Sequence, residues 1–195
     1  GWNVTALKPA WVNGSSKKTF AKTVNVVEVS AVDETEIKTI INASDQLDAV
    51  IYLQPKSSID NIEYPQASKQ GLMLAFLLAK LCNVSAAQTA RASFMVVTRQ
   101  GGDLNVEANE ITSDLVQGGL NGLVKTLSHE WGSKSAGSVF CRAVDVSGKL
   151  AADKVAALVA DELLDADTAL VEVADDKNGR LTLLGETTDS YALTV

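Results

Sequence analysis

The sequence has little histidine, cysteine or positive charge, and each shortage excludes a class of function. His129 is the single histidine among 195 residues, which leaves little room for a histidine-based metal centre or histidine-dependent acid–base catalysis. The only two cysteines, Cys82 and Cys141, lie inside apolar segments, so a disulfide-stapled secreted scaffold is not expected. A net charge of −7 argues against a surface for nucleic acid or anionic membrane, because both attract positive charge.

Long hydrophobic runs are also lacking. The longest apolar stretch, residues 71–79, ends at Lys80 and is far shorter than the roughly 20 residues of a membrane-spanning helix. Residues 1–5 contain neither the basic nor the apolar part of a signal peptide. The sequence therefore predicts a cytoplasmic protein that does not enter a membrane.

What is present is an alternation of two kinds of apolar pattern. The run at 49–53 is short and wholly apolar, which is typical of a parallel strand buried on both faces. Asp33 and Glu36 have the spacing of a capping box and predict a helix start. Asn178-Gly179 lies between two apolar runs and predicts a hairpin turn. The predicted strands are 2–7, 23–30, 49–53, 93–98, 139–146, 169–174 and 180–184, and the predicted helices are 33–42, 65–81, 114–131 and 151–164.

This order predicts an α/β fold, namely a truncated Rossmann-like three-layer sandwich with a mainly parallel sheet. Right-handed crossovers are expected, and the carboxy-terminal hairpin adds an antiparallel edge. We expect one domain over 1–195, with an irregular segment or first strand at 1–22, the core at 23–185 and a tail at 186–195 that leads to a following domain.

The phosphate-binding motifs of nucleotide-binding α/β folds are missing. No Gly-x-Gly-x-x-Gly and no Gly-Lys-Ser/Thr occurs among the thirteen glycines. The first predicted strand corresponds to the second strand of such a fold. The phosphate-binding turn is therefore expected either to be absent or to lie upstream.

The helix predicted at 114–131 is unusual in its glycine content. We expect Leu115, Leu120, Leu123, Val124 and Leu127 on or near its buried stripe. A mid-helix glycine costs about 1 kcal/mol relative to alanine, so its three glycines need a structural reason. They allow close packing against a neighbouring backbone or mark an interface with another domain or subunit, and these two interpretations are compatible; the glycines are Gly118, Gly119 and Gly122.

Three segments together resemble a known family. Residues 98–102, 119–131 and 142–145 follow the order found in ketoreductase regions of modular polyketide synthases. The segment 139–145 is closer still to bacterial polyunsaturated fatty acid synthases. The resemblance covers roughly residues 50–184 and is to the structural half of a short-chain dehydrogenase-like ketoreductase. It implies a second, catalytic half that binds NADPH and reduces a β-ketoacyl group on an acyl carrier protein.

The residues that would carry reductase chemistry are replaced here. Such a reductase needs a tyrosine that protonates the alkoxide and a lysine four residues later that lowers the pKa of the tyrosine. With the shared Gly-Leu-x-Lys-x-Leu at 122–127 as the anchor, these positions hold Ser113 and Gln117. Thr98 lies near the position of the family's catalytic serine, and 53–56 replaces the Asn-Asn-Ala-Gly stretch. The resemblance implies a half that folds like a reductase and performs no chemistry.

Other candidate sites have simpler interpretations. His129 and Glu130 are sequence neighbours that diverge by about 100° around a helix, so a surface histidine is expected. The pairs Asp161-Glu162 and Asp175-Asp176 are interpreted as solvated faces or turns. The cysteines are expected to be core residues; Arg142 is adjacent to one of them. We predict no catalytic, cofactor-binding or metal-binding residue in this chain.

Three functions remain open at this point. The first is a non-catalytic scaffold that stabilises the NADPH-dependent catalytic half of a synthase reductase, as part of the same polypeptide. The second is a divergent NADP-dependent short-chain reductase whose cofactor turn lies outside this sequence. The third is a docking module for an acyl carrier protein, although carrier proteins are usually acidic and would be repelled by an acidic chain.

Overall fold

The computed structural model describes residues 2–12, 20–44, 47–55, 66–86, 92–106, 115–132, 139–176 and 179–183. Seven strands and four helices alternate within these ranges. They are β1 Val4–Pro9, β2 Val24–Val29, α1 Glu34–Asn42, β3 Ala49–Leu53, α2 Gln66–Ala86, β4 Ala92–Thr98, α3 Leu115–Gly132, β5 Val139–Val146, α4 Ala152–Leu164, β6 Glu172–Asp176 and β7 Gly179–Leu181.

Two sheets are formed. The larger has the order β3-β4-β5-β6-β7, in which β3 to β6 are parallel and β7 returns antiparallel to β6. The smaller is the parallel pair β1-β2. The α/β fold with a mainly parallel sheet and a carboxy-terminal antiparallel hairpin is as the sequence predicts.

The start of α1 shows how local sequence sets the elements. The Asp33 carboxylate accepts hydrogen bonds from the backbone N–H groups of Thr35 and Glu36, which would otherwise lack partners in the first helical turn. The Glu36 carboxylate does not return to Asp33. It accepts from the N–H groups of Ser30 and Ala31, and these bonds hold its pKa below the ordinary value. The predicted helix start is therefore correct, with a cap that reaches back to the end of β2.

The larger sheet is covered on both faces. On one face, Phe94 and Cys141 belong to an apolar cluster with α1, α2 and α3; on the other, Met95 and Val144 pack against α4. Trp131, at the end of α3, packs edge-on against Phe94 at a centroid distance of 5.8 Å. It is the packing anchor that its position suggests.

The positions of α3 and α4 correct one expectation. The strands β4, β5 and β6 are parallel and adjacent, so the two connections move across the sheet in the same direction. Because α3 and α4 lie on opposite faces, these crossovers have opposite hands, and a right-handed rule for every crossover is wrong here. Each face of β4 and β5 is buried as a result.

Strand β3 corrects a second expectation. It is the edge of the larger sheet, and Ile51 and Leu53 are 37% and 61% exposed. The wholly apolar run was interpreted as a strand buried on both faces. A run of this kind is equally possible at an edge that another element covers, and its composition alone does not separate the two.

A third correction concerns α3. Leu115 is 73% exposed and does not join the buried stripe, whereas Leu120, Val124 and Leu127 are buried and Leu123 is partly buried. None of the helices in the described ranges is both long enough and apolar enough to span a bilayer.

Candidate functional site

The carboxyl ends of β4 and β5 form the polar edge of the sheet, where ligands bind in doubly wound folds. Thr98 and Asp145 are register partners there and are fully buried. The Asp145 carboxylate accepts hydrogen bonds from the Thr98 hydroxyl at 3.0 Å and from the backbone N–H groups of Gln100, Gly102 and Leu104. One buried carboxylate therefore gathers four donors from β4 and the loop that follows it.

That loop has the conformation needed to aim its N–H groups inward. Gly101, Gly102, Leu104 and Asn105 all have positive φ angles, the region that side chains generally avoid. A Cβ on Gly102 would lie 2.5 Å from the backbone oxygen of Asp175. The loop is consequently packed against the backbone of Ser147, just after β5, and of Asp175 in β6, and Gly102 is required at this position.

Gln117 is also used inside the protein. Its side chain is 1% exposed, and its Oε1 accepts a hydrogen bond from the backbone N–H of Arg99 at 2.6 Å. This residue occupies the position at which the resemblance expects the reductase lysine. Ser113, at the tyrosine position, lies outside the described residues. The structure thus brings Thr98 and Gln117 to the same strand end and binds both to the chain's own groups.

The replacement at 53–56 is described as far as residue 55. Gln54 is buried; its Oε1 accepts a hydrogen bond from the Tyr52 hydroxyl at 2.8 Å, and its N–H donates to the Val97 carbonyl. Leu53, in contrast, is exposed. This segment ends β3 and is tied to β4 through backbone and side chain.

A second polar cluster lies on the face of the larger sheet that α4 covers, and it was not predicted from the sequence. Arg142, fully buried in β5, forms ion pairs with Glu162 and Asp165 and donates to the backbone oxygen of Asp167 at 2.6 Å. Arg180 from β7 contacts the same two carboxylates at 2.5 and 2.6 Å. The guanidinium carbon of Arg142 also lies 4.7 Å from the ring centre of Phe140 in the same strand. The expectation that Glu162 lies on a solvated face is wrong, because it is buried between two guanidinium groups.

The sequence does contain a feature that indicates both this cluster and the buried Asp145. The segment 139–146 is an apolar strand interrupted by one arginine and one aspartate, and a charge in such a strand is buried only when paired. Asp165, at the end of α4, has its pKa held below the ordinary value by hydrogen bonds from the backbone of Asp167 and from Arg142. The role of the cluster is to fasten α4 and β7 to β5.

The remaining candidates lie on the surface, in the core or in β6. His129 and Glu130 are exposed, as expected for a surface histidine. Cys82 and Cys141 are buried core residues, and burial raises the pKa of each thiol to about 12. Asp161 is exposed, Asp175 lies in β6, and nothing is described of the Asp176 side chain. Within the described ranges, no three histidine, cysteine or carboxylate groups come together as metal ligands would.

The outer faces of α2 and α3 form an exposed surface of apolar and small residues, which we call the glycine face. Adding a Cβ at any of its three glycines would meet no atom of the described residues within 4 Å. Close packing of these glycines against the described part of the chain, one of the two interpretations of their presence, is therefore wrong, and the interface interpretation stays a prediction. The face consists of Met73, Phe76, Leu115, Gly118, Gly119 and Gly122.

Comparison with known proteins places this architecture. The chain is similar to a structure described as a 3-oxoacyl reductase from Bacillus thuringiensis, at 14% identity, with a TM-score of 0.55 and coverage of 78% of this chain and 76% of that one. A metagenomic short-chain oxidoreductase in complex with NADP gives 16% identity, a TM-score of 0.56 and coverage of 77% and 73%. A protein described as a short-chain dehydrogenase/reductase from Burkholderia xenovorans gives 14% identity, a TM-score of 0.50 and coverage of 70% of this chain and 57% of that one.

The chain has a Rossmann-like fold of the short-chain dehydrogenase/reductase type. It spans little more than half of the Burkholderia protein and about three quarters of the other two. No protein-family model matches the sequence, and no curated protein matches it. At these identities the likeness establishes the fold alone.

Proposed function

We propose that this chain is the non-catalytic scaffold half of a β-ketoacyl reductase in a polyunsaturated fatty acid or polyketide synthase. The observation that carries the proposal is the hydrogen bond from the Arg99 N–H to Gln117. At the position where a reductase needs a cation to tune the tyrosine, a buried neutral amide holds the strand end. The scaffold would bind and support a separate NADPH-dependent catalytic half of the same polypeptide.

The polar edge of the sheet fits this role better than a nicotinamide dinucleotide. A dinucleotide binds through free backbone N–H groups on a glycine-rich turn and through a helix N-terminus. Here the inward N–H groups of Gln100, Gly102 and Leu104 are bonded to Asp145, and the sequence holds no such turn. The described residues therefore do not fit the cofactor, and the proposal assigns NADPH to the catalytic half.

The glycine face supplies the surface that a scaffold needs. Small residues on a helix let another helix approach closely, and exposed apolar side chains such as Phe76 and Leu115 gain from burial. We expect the catalytic half to cover this face. The role of docking an acyl carrier protein remains the weaker alternative because the chain is acidic.

The test combines this chain with the catalytic half expressed as a separate polypeptide. Scaffolding predicts a complex, a higher melting temperature for the catalytic half and restored ketoreductase turnover. Gly119→Leu should weaken the complex, because the added side chain stands where a partner helix would approach, whereas Thr168→Leu at an exposed site away from the face should not. A complex that fails to form, or turnover that is unchanged by its formation, would reject the scaffold role.

Calorimetric titration of this chain with NADPH separates the scaffold from the divergent reductase. The scaffold predicts no heat of binding for the chain alone and saturable binding for the complex. Micromolar binding to the chain alone would instead support the divergent short-chain reductase.

A further inference from the structure

On the edge of β3 away from β4, no strand of the described residues pairs with its backbone. Strand β3 ends the order of the larger sheet, and no described residue extends that sheet beyond it. Gln54 donates to β4 and Asp48 accepts from it. Because alternate residues of a strand point their N–H and C=O groups to opposite edges, those of Ala49, Ile51 and Leu53 point to the free edge.

The side chains at this edge are not those of a protected edge strand. Soluble proteins usually blunt a free edge with charges, proline or a bulge, since an open edge pairs with other chains. The sequence of β3 is Ala-Val-Ile-Tyr-Leu, with no charge and no proline. Ile51 and Leu53 expose their side chains on the face that bears α4 elsewhere in the sheet.

The pair β1-β2 packs under the same layer of helices as β3. Helix α1 packs against β2 and against α2, and α2 packs against β3. Leu7 and Val29 join the apolar cluster that contains Tyr52. Both sheets therefore share one core, although none of the described backbone groups joins them by hydrogen bonds.

The strand order indicates which position of a doubly wound sheet is unfilled among the described residues. The common doubly wound order is 3-2-1-4-5-6. Assigning β2 and β1 to positions 3 and 2, and β3, β4 and β5 to positions 4, 5 and 6, leaves position 1 without a strand among the described residues. Position 1 is central in that order and is parallel to both neighbours.

We propose that the free edge of β3 receives one extended strand, parallel to β3, that belongs to the catalytic half. This inference rests on the proposed function for the identity of the partner. The strand is uncharged and rich in β-branched residues, because its two sides meet the apolar core of α1 and α2 and the exposed Ile51 and Leu53. Recognition is by main-chain hydrogen bonds, as in other cases of strand addition.

Hydrogen exchange measured residue by residue tests the inference on the complex with the catalytic half. In the free chain, the amides of Ile51 and Leu53 should exchange much faster than those of Val50 and Tyr52, which are bonded to β4. In the complex, we expect the protection of the Ile51 and Leu53 amides to rise by about tenfold or more, as for amides that enter a stable ladder.

A matched pair of variants supplies the second measurement. Leu53→Lys places a charge on the free edge and should weaken binding of the catalytic half by about tenfold or more. Leu181→Lys places the same charge on β7, at the opposite edge of the same sheet, and should leave binding unchanged. Both residues are exposed, so both variants should fold, which their melting temperatures will verify.

The outcomes separate the two proposals. Binding with unprotected Ile51 and Leu53 amides, and with no effect of Leu53→Lys, overturns the strand inference and leaves the scaffold role standing. Protection of these amides in the chain alone identifies an occupant from this chain or from a second copy, and also overturns it. No binding of the catalytic half at all overturns both.

Discussion

Gln117 Oε1 accepts a hydrogen bond of 2.6 Å from the backbone N–H of Arg99, so a residue of α3 fixes the strand end of β4. The bond lies at the edge where Thr98 and Asp145 also meet. At the position where the resemblance expects the reductase lysine, the Gln117 side chain bonds to the chain's own backbone. This relationship makes the position intolerant of the residue that the enzymes carry.

Gln117→Lys is predicted to destabilise the chain by at least about 2 kcal/mol. The change buries an ammonium group and leaves the Arg99 N–H facing a donor instead of an acceptor. Thr126→Lys, at an exposed position of the same helix, should stay within about 0.5 kcal/mol of the parent. Urea unfolding measures both. Equal stability of the two variants would show that the amide at position 117 is not needed.

Asp145→Asn is predicted to cost about 2–4 kcal/mol of unfolding free energy. The asparagine keeps one acceptor oxygen but turns an NH₂ group toward backbone donors, so buried N–H groups of the loop lose their partner. Thr98→Val removes a single hydroxyl donor and should cost about 1 kcal/mol. Thermal and urea unfolding check the difference. A milder effect for Asp145→Asn than for Thr98→Val would contradict this account.

Gly102→Ala is predicted to be strongly destabilising, by about 1–3 kcal/mol or more. The residue has φ +87, and the new Cβ would lie within 2.8 Å of two backbone atoms. Gly119→Ala is the matched control, because its Cβ meets nothing within 4 Å and alanine favours a helix by up to about 1 kcal/mol. The two alanine variants should therefore move the melting temperature in opposite directions; movement in the same direction would refute the argument.

The decrease of the unfolding free energy at acid pH should depend on Asp165. Its pKa in the folded chain lies below the ordinary value of 3.8, so its contribution is complete above that value and is lost as the pH falls toward the folded pKa. Asp165→Asn should make the unfolding free energy less steep between about pH 5 and pH 2. Asp161→Asn, exposed on the same helix, should leave the slope as in the parent. Equal slopes for all three proteins would exclude this role.

Local patterns were sufficient for most of the fold. The period of the apolar residues gave all seven strands and all four helices, with bounds within a few residues, and Asp33 marked the start of α1. These features depend on neighbours in sequence. Strands β4 and β5 are buried throughout, and they are apolar apart from Ser93, Thr98, Arg142 and Asp145.

What failed depends on contacts between distant residues. Leu115 was expected on the buried stripe, but the face of a helix at its first turn depends on where the helix lies on the sheet. Glu162 was expected in solvent, but it faces Arg142 and Arg180 from two strands far away in sequence. The hand of the connection through α4 follows from a second core on the other face. In the site, the presence of Ser113 and Gln117 at the positions that the resemblance assigns to tyrosine and lysine can be read from the sequence, whereas the bonds made by Gln117 and Asp145 cannot.

The cluster around Arg142 has a consequence for how the chain folds during translation. When the ribosome has delivered residues through Asp165, one buried guanidinium faces two carboxylates, and the second guanidinium, Arg180, is still to come. The charges balance only when β7 has emerged. During translation, the docking of α4 on β5 is therefore expected to gain its full stability only once Arg180 has joined the two carboxylates.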